Sequence, residues 1–273
     1  MKNKTIEIWE KDKYQSEAED GFKPVLDTYI LSGAKKRGAV LIFPGGGYEF
    51  TSEREAEPVA MQFNAAGYHA FVLYYSVSPR RHPQPLLDAL RAMCIIRENA
   101  DEWNVDPNRV AVCGFSAGGH LAASLGVHWD DPDIAGSPEI NVELGRPDAM
   151  ILCYPVITSG RFAHRDSFER LLGKEADKKL LSKMSLELHV SKNTPPAFIW
   201  HTFDDGLVPV ENSLLLAQAM RSFNIPFELH VYPRGPHGLS LATEETGRGE
   251  WDISAHVSTW LGLSIQWLEE VFS

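Results

Sequence analysis

Positive charge is in short supply in this sequence. Lys and Arg number 26 against 37 Asp and Glu, for a formal net charge of −11. An acidic surface argues against nucleic acid and against anionic membrane as partners, because both need cations to offset their own charge. Cysteine is scarcer still, with three residues, Cys94, Cys113 and Cys153. They lie in apolar strand-like and helix-like runs and their number is odd, so no disulfide framework follows and buried reduced thiols are expected. No apolar run approaches the length of a membrane span. The stretch from Met1 to Glu10 has no apolar signal-peptide core, so the chain as it stands reads as soluble and cytoplasmic. Metal-binding patterns are missing too: there is no His-Glu-x-x-His and no Cys-x-x-Cys. No Gly-x-x-x-x-Gly-Lys-Ser/Thr is present, and no Gly-x-Gly-x-x-Gly opens a helix. Neither a metal nor a cofactor is expected.

What the sequence does have is apolar residues, 44% of 273, enough for a sizeable core. They fall into alternating short and long runs. Strands are expected at 5–9, 25–31, 39–43, 69–75, 110–113, 148–154, 197–202 and 227–232. Helices are expected at 53–66, 86–103, 117–127, 210–223 and 254–271, the last turning Trp260 and Trp267 inward. Residues 10–24 and 129–147 read as loops and 104–108 as a turn. Strands alternating with helices imply an α/β fold, with a mostly parallel central sheet and helices on both faces. Residues 155–195 interrupt the alternation with polar, basic pieces. One domain over 1–273 is expected, with this insert as a lid at the carboxyl edge of the sheet, where such folds bind ligands.

The most informative stretch is Val110 to Ala123. An apolar strand runs into Gly114-Phe115-Ser116-Ala117-Gly118, and a small-residue helix follows. Strand, sharp turn and helix form the context of a nucleophile elbow. Gly114 and Gly118 are expected to let strand and helix cross closely. A serine hydroxyl needs a base, since it is a poor nucleophile until an imidazole takes its proton. Of ten histidines, His237 has the best setting. It sits just after the last strand in a loop stiffened by Pro233, Gly235, Pro236 and Gly238. His120 is expected to pack or cap, and His201 to be a satisfied core histidine. The other seven, His164 among them, have no comparable setting. The base in turn needs an acid. Asp204 and Asp205 both follow the preceding strand, and chain order Ser…Asp…His fits either. The N–H of Ala117 is placed by the elbow to receive an oxyanion, and Gly45-Gly46-Gly47 can supply further donors. Tyr48, directly after those glycines, and Tyr75, leaving the neighbouring strand, are expected at the substrate pocket. Both would keep the pocket small.

From about residue 38 to the end the chain resembles α/β-hydrolase fold esterases, in particular the acetyl esterase and acetylxylan esterase-like branch. The resemblance rests on Phe43-Pro44-Gly45-Gly46-Gly47-Tyr48, Gly114 to Ala122, Thr202-Phe203-Asp204-Asp205-Gly206-Leu207-Val208-Pro209 and Pro236-His237-Gly238. It implies a serine esterase with Ser116, His237 and Asp205, the Asp of Asp-x-x-Val-Pro, as triad. It implies Gly46, Gly47 and Ala117 as oxyanion donors, and a small-molecule or oligosaccharide acetyl ester as substrate. One departure is Pro44, where many lipase-like relatives have a loop-fixing His. Two other readings share the fold: a serine peptidase of the prolyl-oligopeptidase type, and a non-catalytic binding module. The sequence leaves the oligomeric state open.

Overall fold

The structure, a computed structural model, describes residues 2–10, 14, 20–135 and 140–273. Eight strands form one sheet: β1 (Lys2–Glu7), β2 (Val25–Ile30), β3 (Arg37–Phe43), β4 (His69–Tyr74), β5 (Val105–Phe115), β6 (Ala149–Cys153), β7 (Ala197–Thr202) and β8 (Phe227–Tyr232). Their spatial order is β1-β2-β4-β3-β5-β6-β7-β8. β2 runs antiparallel to both β1 and β4, and every pairing from β4 through β3 to β8 is parallel. Parallel strands need both faces covered. The helices are α1 (Glu57–Ala65), α2 (Gln84–Glu98), α3 (Ala100–Trp103), α4 (Ala117–His128), α5 (Pro132–Ala135), α6 (Val142–Gly145), α7 (Arg165–Leu172), α8 (Lys178–Lys183), α9 (Glu211–Ser222) and α10 (Thr259–Val271).

Strand alternation divides the core. Ala39, Leu41 and Phe43 of β3 face a cluster built with Leu90 and Met93 of α2, Leu121 of α4 and Leu216 of α9. Val40 and Ile42 face the opposite cluster, with Phe63 of α1 and Trp260 and Trp267 of α10. The two tryptophans of α10 are buried, as their helical spacing predicts.

Several boundaries differ from the sequence reading, each for a local reason. The edge strand lies at 2–7, not 5–9, because Ile8 and Trp9 turn into the core. There the Trp9 indole N–H donates to buried Asp88 at 2.7 Å. The helix expected over 86–103 breaks at Asn99, whose side-chain amide turns back to the Ile95 carbonyl at 2.8 Å. Residues 105–108 belong to β5, although Asp106 accepts the Asn108 N–H as in a turn; the ladder to β3 is irregular between Arg37 and Ala39. The helix expected over 53–66 is split at Ala56, leaving a 3₁₀ turn at Glu53–Glu55 that carries Glu55 inward. The last helix starts at Thr259 rather than 254, since 254–258 form a turn whose Ser254 N–H reaches the Ala242 carbonyl. The expected loop over 129–147 contains the short helices α5 and α6; its residues 136–139, and 11–13 and 15–19 of the loop over 10–24, lie outside the described residues.

Residues 155–195 form α7, α8 and a 3₁₀ turn at Leu186–Leu188. Phe168, Leu171 and Leu172 bury one side of α7, while Arg165, Asp166 and Glu169 remain exposed. The segment sits over α4: His120 and His128 direct their Nε2 atoms to the carbonyls of Met184 and Lys183 at 3.0 and 2.9 Å.

Candidate active site

β5 delivers its chain into a tight turn at Ser116, with φ 54° and ψ −116°. A non-glycine residue in such a conformation is strained and persists only where its surroundings hold it. They do so here: the Ser116 N–H donates to the Cys153 carbonyl, and its own carbonyl accepts from His120 and Val156. Gly114 and Gly118 have no room for a side chain. A Cβ on the first would lie 2.2 Å from the Gly118 carbonyl oxygen, and on the second 2.1 Å from that of Phe43.

The ends of β5, β7 and β8 bring three sequence-predicted residues together. Ser116 Oγ is 2.7 Å from His237 Nε2, and His237 Nδ1 is 2.7 Å from Asp205 Oδ2. Asp205 requires Nδ1 to carry the proton, which leaves Nε2 to accept from the serine hydroxyl. The other Asp205 oxygen accepts from the N–H groups of Leu207 and Val208, each at 2.9 Å. Burial by itself would raise this carboxyl. The hydrogen bonds from His201 and His237, the charge of His237 and the Val208 N–H outweigh it and hold Asp205 well below the usual carboxylate range. Asp204 points elsewhere, accepting the Gly235 N–H at 2.7 Å and so fastening the loop that carries His237. The chemical ambiguity between the two aspartates therefore ends in geometry.

The glycine loop lies against the elbow: a Cβ on Gly45 would sit 3.1 Å from that of Ser116. Gly46 and Gly47 have φ 131° and 64°, and a Cβ on Gly46 would come within 2.1 Å of the Phe50 carbonyl oxygen. The Gly45 N–H is engaged by Glu55 Oε2 at 2.7 Å. Among the described residues, none of the bonds that shape the loop and elbow uses the N–H of Gly46, Gly47 or Ala117.

Tyr48 and Tyr75 correct the sequence reading. Both are buried beneath the loop instead of standing at an open pocket. Tyr75 donates to the Pro44 carbonyl at 2.6 Å, so a tyrosine hydroxyl fixes the loop at the position where a preceding histidine is absent. The Tyr48 hydroxyl meets His120 Nδ1 at 2.8 Å. Since His120 Nε2 faces a carbonyl, Nε2 bears the proton and Nδ1 accepts. His120 thus packs, as expected, and His201 does too, between Ser213 Oγ and the Val208 carbonyl, with Asp205 Oδ2 3.4 Å from its Nε2.

Five further residues around the site escape sequence reasoning. Buried Glu55 bridges the Gly45 N–H and the Tyr154 hydroxyl, the latter at 2.6 Å, and the Tyr154 ring packs edge-on against His237 at 5.0 Å. Arg54 and Arg248 both pair with buried Asp252, and they donate to the carbonyls of Gly238 and His237 at 3.1 and 3.2 Å. These partners are up to 198 positions apart, and no local pattern announces them.

On the other side of the loop is a cavity of about 900 Å³, lined by Ser78, Arg81, Asp166, Glu169, Arg170 and Lys174 among others. Arg170 joins it to the site: its guanidinium would lie 3.2 Å from a Cβ on Gly47, and it pairs with Glu49 at 2.9 Å. Among the described residues no group of three His, Cys, Asp or Glu side chains could hold a metal.

Serine, histidine and aspartate at three carboxyl ends of a mostly parallel sheet, in that chain order apart from the acid preceding the base, are the signature of the α/β hydrolases. The chain belongs to the BD-FAE family, whose model matches residues 26–220. It is 46% identical over 242 residues to endo-1,4-beta-xylanase B of Butyrivibrio fibrisolvens, covering 87% of this chain and 38% of that protein. It is 36% identical over 212 residues to an acetylxylan esterase of Xylanibacter ruminicola, covering 75% and 42%. The chain thus spans about two fifths of the length of these curated relatives. The acetyl ester-xyloside bifunctional hydrolase of Caldicellulosiruptor lactoaceticus superposes with a TM-score of 0.89 at 43% identity, over 98% of this chain and 96% of that one. By family and by sheet topology the chain falls among the α/β hydrolases.

Proposed function

We propose that the protein is a serine carboxylesterase that removes short acyl groups, acetyl above all, from carbohydrate esters. The observation that carries the reading is the unbroken line Ser116–His237–Asp205 beside the N–H groups of Gly46, Gly47 and Ala117, which no acceptor among the described residues claims. In the reaction, Ser116 Oγ attacks the ester carbonyl carbon as His237 Nε2 takes its proton. The carbonyl oxygen becomes an oxyanion and is received by the N–H groups of Ala117, Gly46 and Gly47. The tetrahedral intermediate collapses: the C–O bond to the sugar breaks, and His237 returns the proton to the leaving alkoxide. Water, activated by the same imidazole, then attacks the acyl-enzyme and releases the acid. Asp205, ionised throughout the neutral range, holds the His237 tautomer and balances the imidazolium. The polar cavity wall formed by Asp166, Glu169 and Arg170 supports a hydroxylated leaving group, and the names of the relatives point the same way. The segment 155–195, which carries this wall, acts as the cover of the leaving-group side.

The test is kcat/KM for p-nitrophenyl acetate, butyrate, octanoate and palmitate, together with acetylated xylo-oligosaccharides. Acetate is expected to lead, with a steep fall beyond butyrate and with Ser116→Ala inactive throughout. A methylene in an apolar pocket is worth only about 0.8 kcal/mol, so the fall reflects steric exclusion. A maximum at octanoate or beyond overturns the short-acyl reading, and an active Ser116→Ala protein overturns the mechanism.

A further inference from the structure

Phe50 and Trp251 stay in water, at 57% and 59% exposure, as does Phe203 on the segment that carries Asp205, at 69%. Exposed aromatics are ordinary when scattered; Phe50 and Trp251 are each packed against a segment tied to the site. Trp251 lies on the 3₁₀ turn Glu250–Asp252. The Arg248 guanidinium stacks on its ring, 4.7 Å from the centroid. The ring also leans over the Gly249 backbone so closely that a Cβ there would come within 2.7 Å of the indole nitrogen. Arg248 is itself fixed by Asp252, through Nε to Oδ2 at 2.6 Å and Nη2 to Oδ1 at 3.0 Å, and it donates to the His237 carbonyl at 3.2 Å. The indole is therefore tied through one side chain to the backbone of the histidine above Ser116. Phe50 is tied to the other half of the site, its ring edge 3.1 Å from the position of a Cβ on Gly46. Arg54 links the two, bonding both Gly238 of the histidine loop and Asp252 beside Trp251, four positions along the chain from Phe50.

The surroundings of the site are thus unequal. The glycine loop has charged Arg170 beside it. The segments that Arg54 joins carry two exposed rings, one of them held with a cation covering part of one face. Such a ring presents a flat apolar surface whose ordering cost has been met before any ligand arrives. The complementary ligand must be flat and apolar on its face yet polar at its rim, since the surroundings are arginine and carboxylate. A pyranose ring has that composition, with C–H bonds across its faces and hydroxyls around its edge. A fatty acyl chain has no polar rim, and an aromatic anion would be drawn to Arg170 beside the glycine loop.

We propose that Trp251, assisted by Phe50, is an aromatic subsite that stacks a pyranose ring of an oligosaccharide substrate and holds a neighbouring acetylated sugar over Ser116. The inference rests on the carbohydrate-ester reading of the site and adds the element that would recognise the sugar. It makes Trp251 a specificity determinant, working through KM, rather than a catalytic residue.

The experiment compares the intact protein with Trp251→Ala and Trp251→Phe, on acetylated xylo-oligosaccharides and on p-nitrophenyl acetate. The ratio of kcat/KM on the oligosaccharide to that on the small ester is expected to fall about tenfold or more in Trp251→Ala, with the loss in KM, and to recover in large part in Trp251→Phe. In the Ser116→Ala background, calorimetric binding of deacetylated xylotetraose should weaken by a similar factor on Trp251→Ala. A wild-type ratio and unchanged tetraose binding in Trp251→Ala overturn the subsite while leaving the esterase reading intact. A wild-type enzyme that hydrolyses p-nitrophenyl acetate but no acetylated oligosaccharide overturns the carbohydrate reading, and the subsite with it.

Discussion

Glu55 is the single residue whose chemistry most exceeds its visibility. One carboxylate oxygen holds the first N–H of the glycine loop, and the other holds the hydroxyl of the tyrosine behind His237. Tyr154 donates to that oxygen while its own oxygen accepts the Ser240 N–H at 2.9 Å, so reversing the bond would leave its hydroxyl proton without this acceptor. Glu55→Gln keeps the shape but offers an amide N–H where two donors already point. One of them loses its acceptor, and the loop shifts relative to the elbow. Losing one oxyanion donor costs roughly 10²–10³ in kcat, so a displaced loop should cost about tenfold or more. KM for p-nitrophenyl acetate should stay nearly constant, as expected for an interaction made in the transition state. An unaltered kcat in Glu55→Gln would remove Glu55 from the machinery. The two aspartates give a sharper contrast. Asp205→Asn should lower kcat by roughly 10⁴ through loss of the tautomer-fixing acceptor, whereas Asp204→Asn only weakens the clamp on Gly235 and should cost far less. If steady-state rates put the large loss at Asp204, the acid is misassigned. Ser116, His237 and the Asp204–Asp205 pair were legible because each stands in a short pattern that its own chemistry requires. Glu55, Tyr154, Arg54, Arg248 and Asp252 were not, because their roles exist only after distant segments meet, and Glu55 read locally is an ordinary charge on a helix.

Between elements, the contact of α4 with the 155–195 segment depends on neutral histidines. Burial drops His120 and His128 from 6.5 to about 4 each, and both donate to carbonyls at the end of α8. In the unfolded chain these imidazoles take a proton near pH 6.5, in the folded chain only near pH 4. Between those values the unfolded state binds more protons, so stability rises with pH across the window and is lost as pH falls through it. At 1.36 kcal/mol per pKa unit, His120 alone accounts for about 3 kcal/mol. Chemical denaturation at pH 7.5 and pH 5 should show about 2 kcal/mol of it, since pH 5 lies only part of the way down that window. His120→Gln, which keeps a donor for Met184 and an acceptor for Tyr48 but does not titrate, should flatten the dependence. Equal slopes in both proteins would mean that His120 is not an acid sensor of this contact. Element existence was readable from periodicity, since the buried strand at 197–202 and the half-buried edge strand at 227–232 match to the residue. Element ends were not, because they are set by single long-range bonds such as Trp9 to Asp88, and by the inward turn of Glu55 at the start of α1.

On the scale of the whole molecule, the sheet was legible because its middle strands are continuous apolar runs, and runs of that kind have to be covered on both faces. The antiparallel pairing of β2 with β4 was not, since no composition distinguishes an antiparallel edge from a parallel one. This architecture places Cys113 on β5 and Cys153 on β6, adjacent strands in the middle of the sheet, both completely buried. Burial, reinforced by the neighbouring Cys113, pushes the Cys153 thiol well above its ordinary range, so it is protonated at neutral pH and unreactive as well as inaccessible. Neither can meet a reagent without parting β5 from β6, which means unfolding the molecule. Cys94 is different. It lies on α2 and donates to the Asn141 carbonyl at 3.3 Å, under the four-residue helix α6, which can lift without disturbing the sheet. Local openings of that kind are less costly than global ones. A thiol reagent added to the native protein should therefore modify Cys94 first, while Cys113 and Cys153 react roughly 10⁴-fold or more slowly than in denaturant, in step with global stability. Peptide mapping of the labelled protein separates the three. Rapid labelling of Cys113 or Cys153 in protein that retains full esterase activity would show that the centre of the sheet opens without unfolding, contrary to the placement of Ser116 at the end of that same strand on a rigid frame.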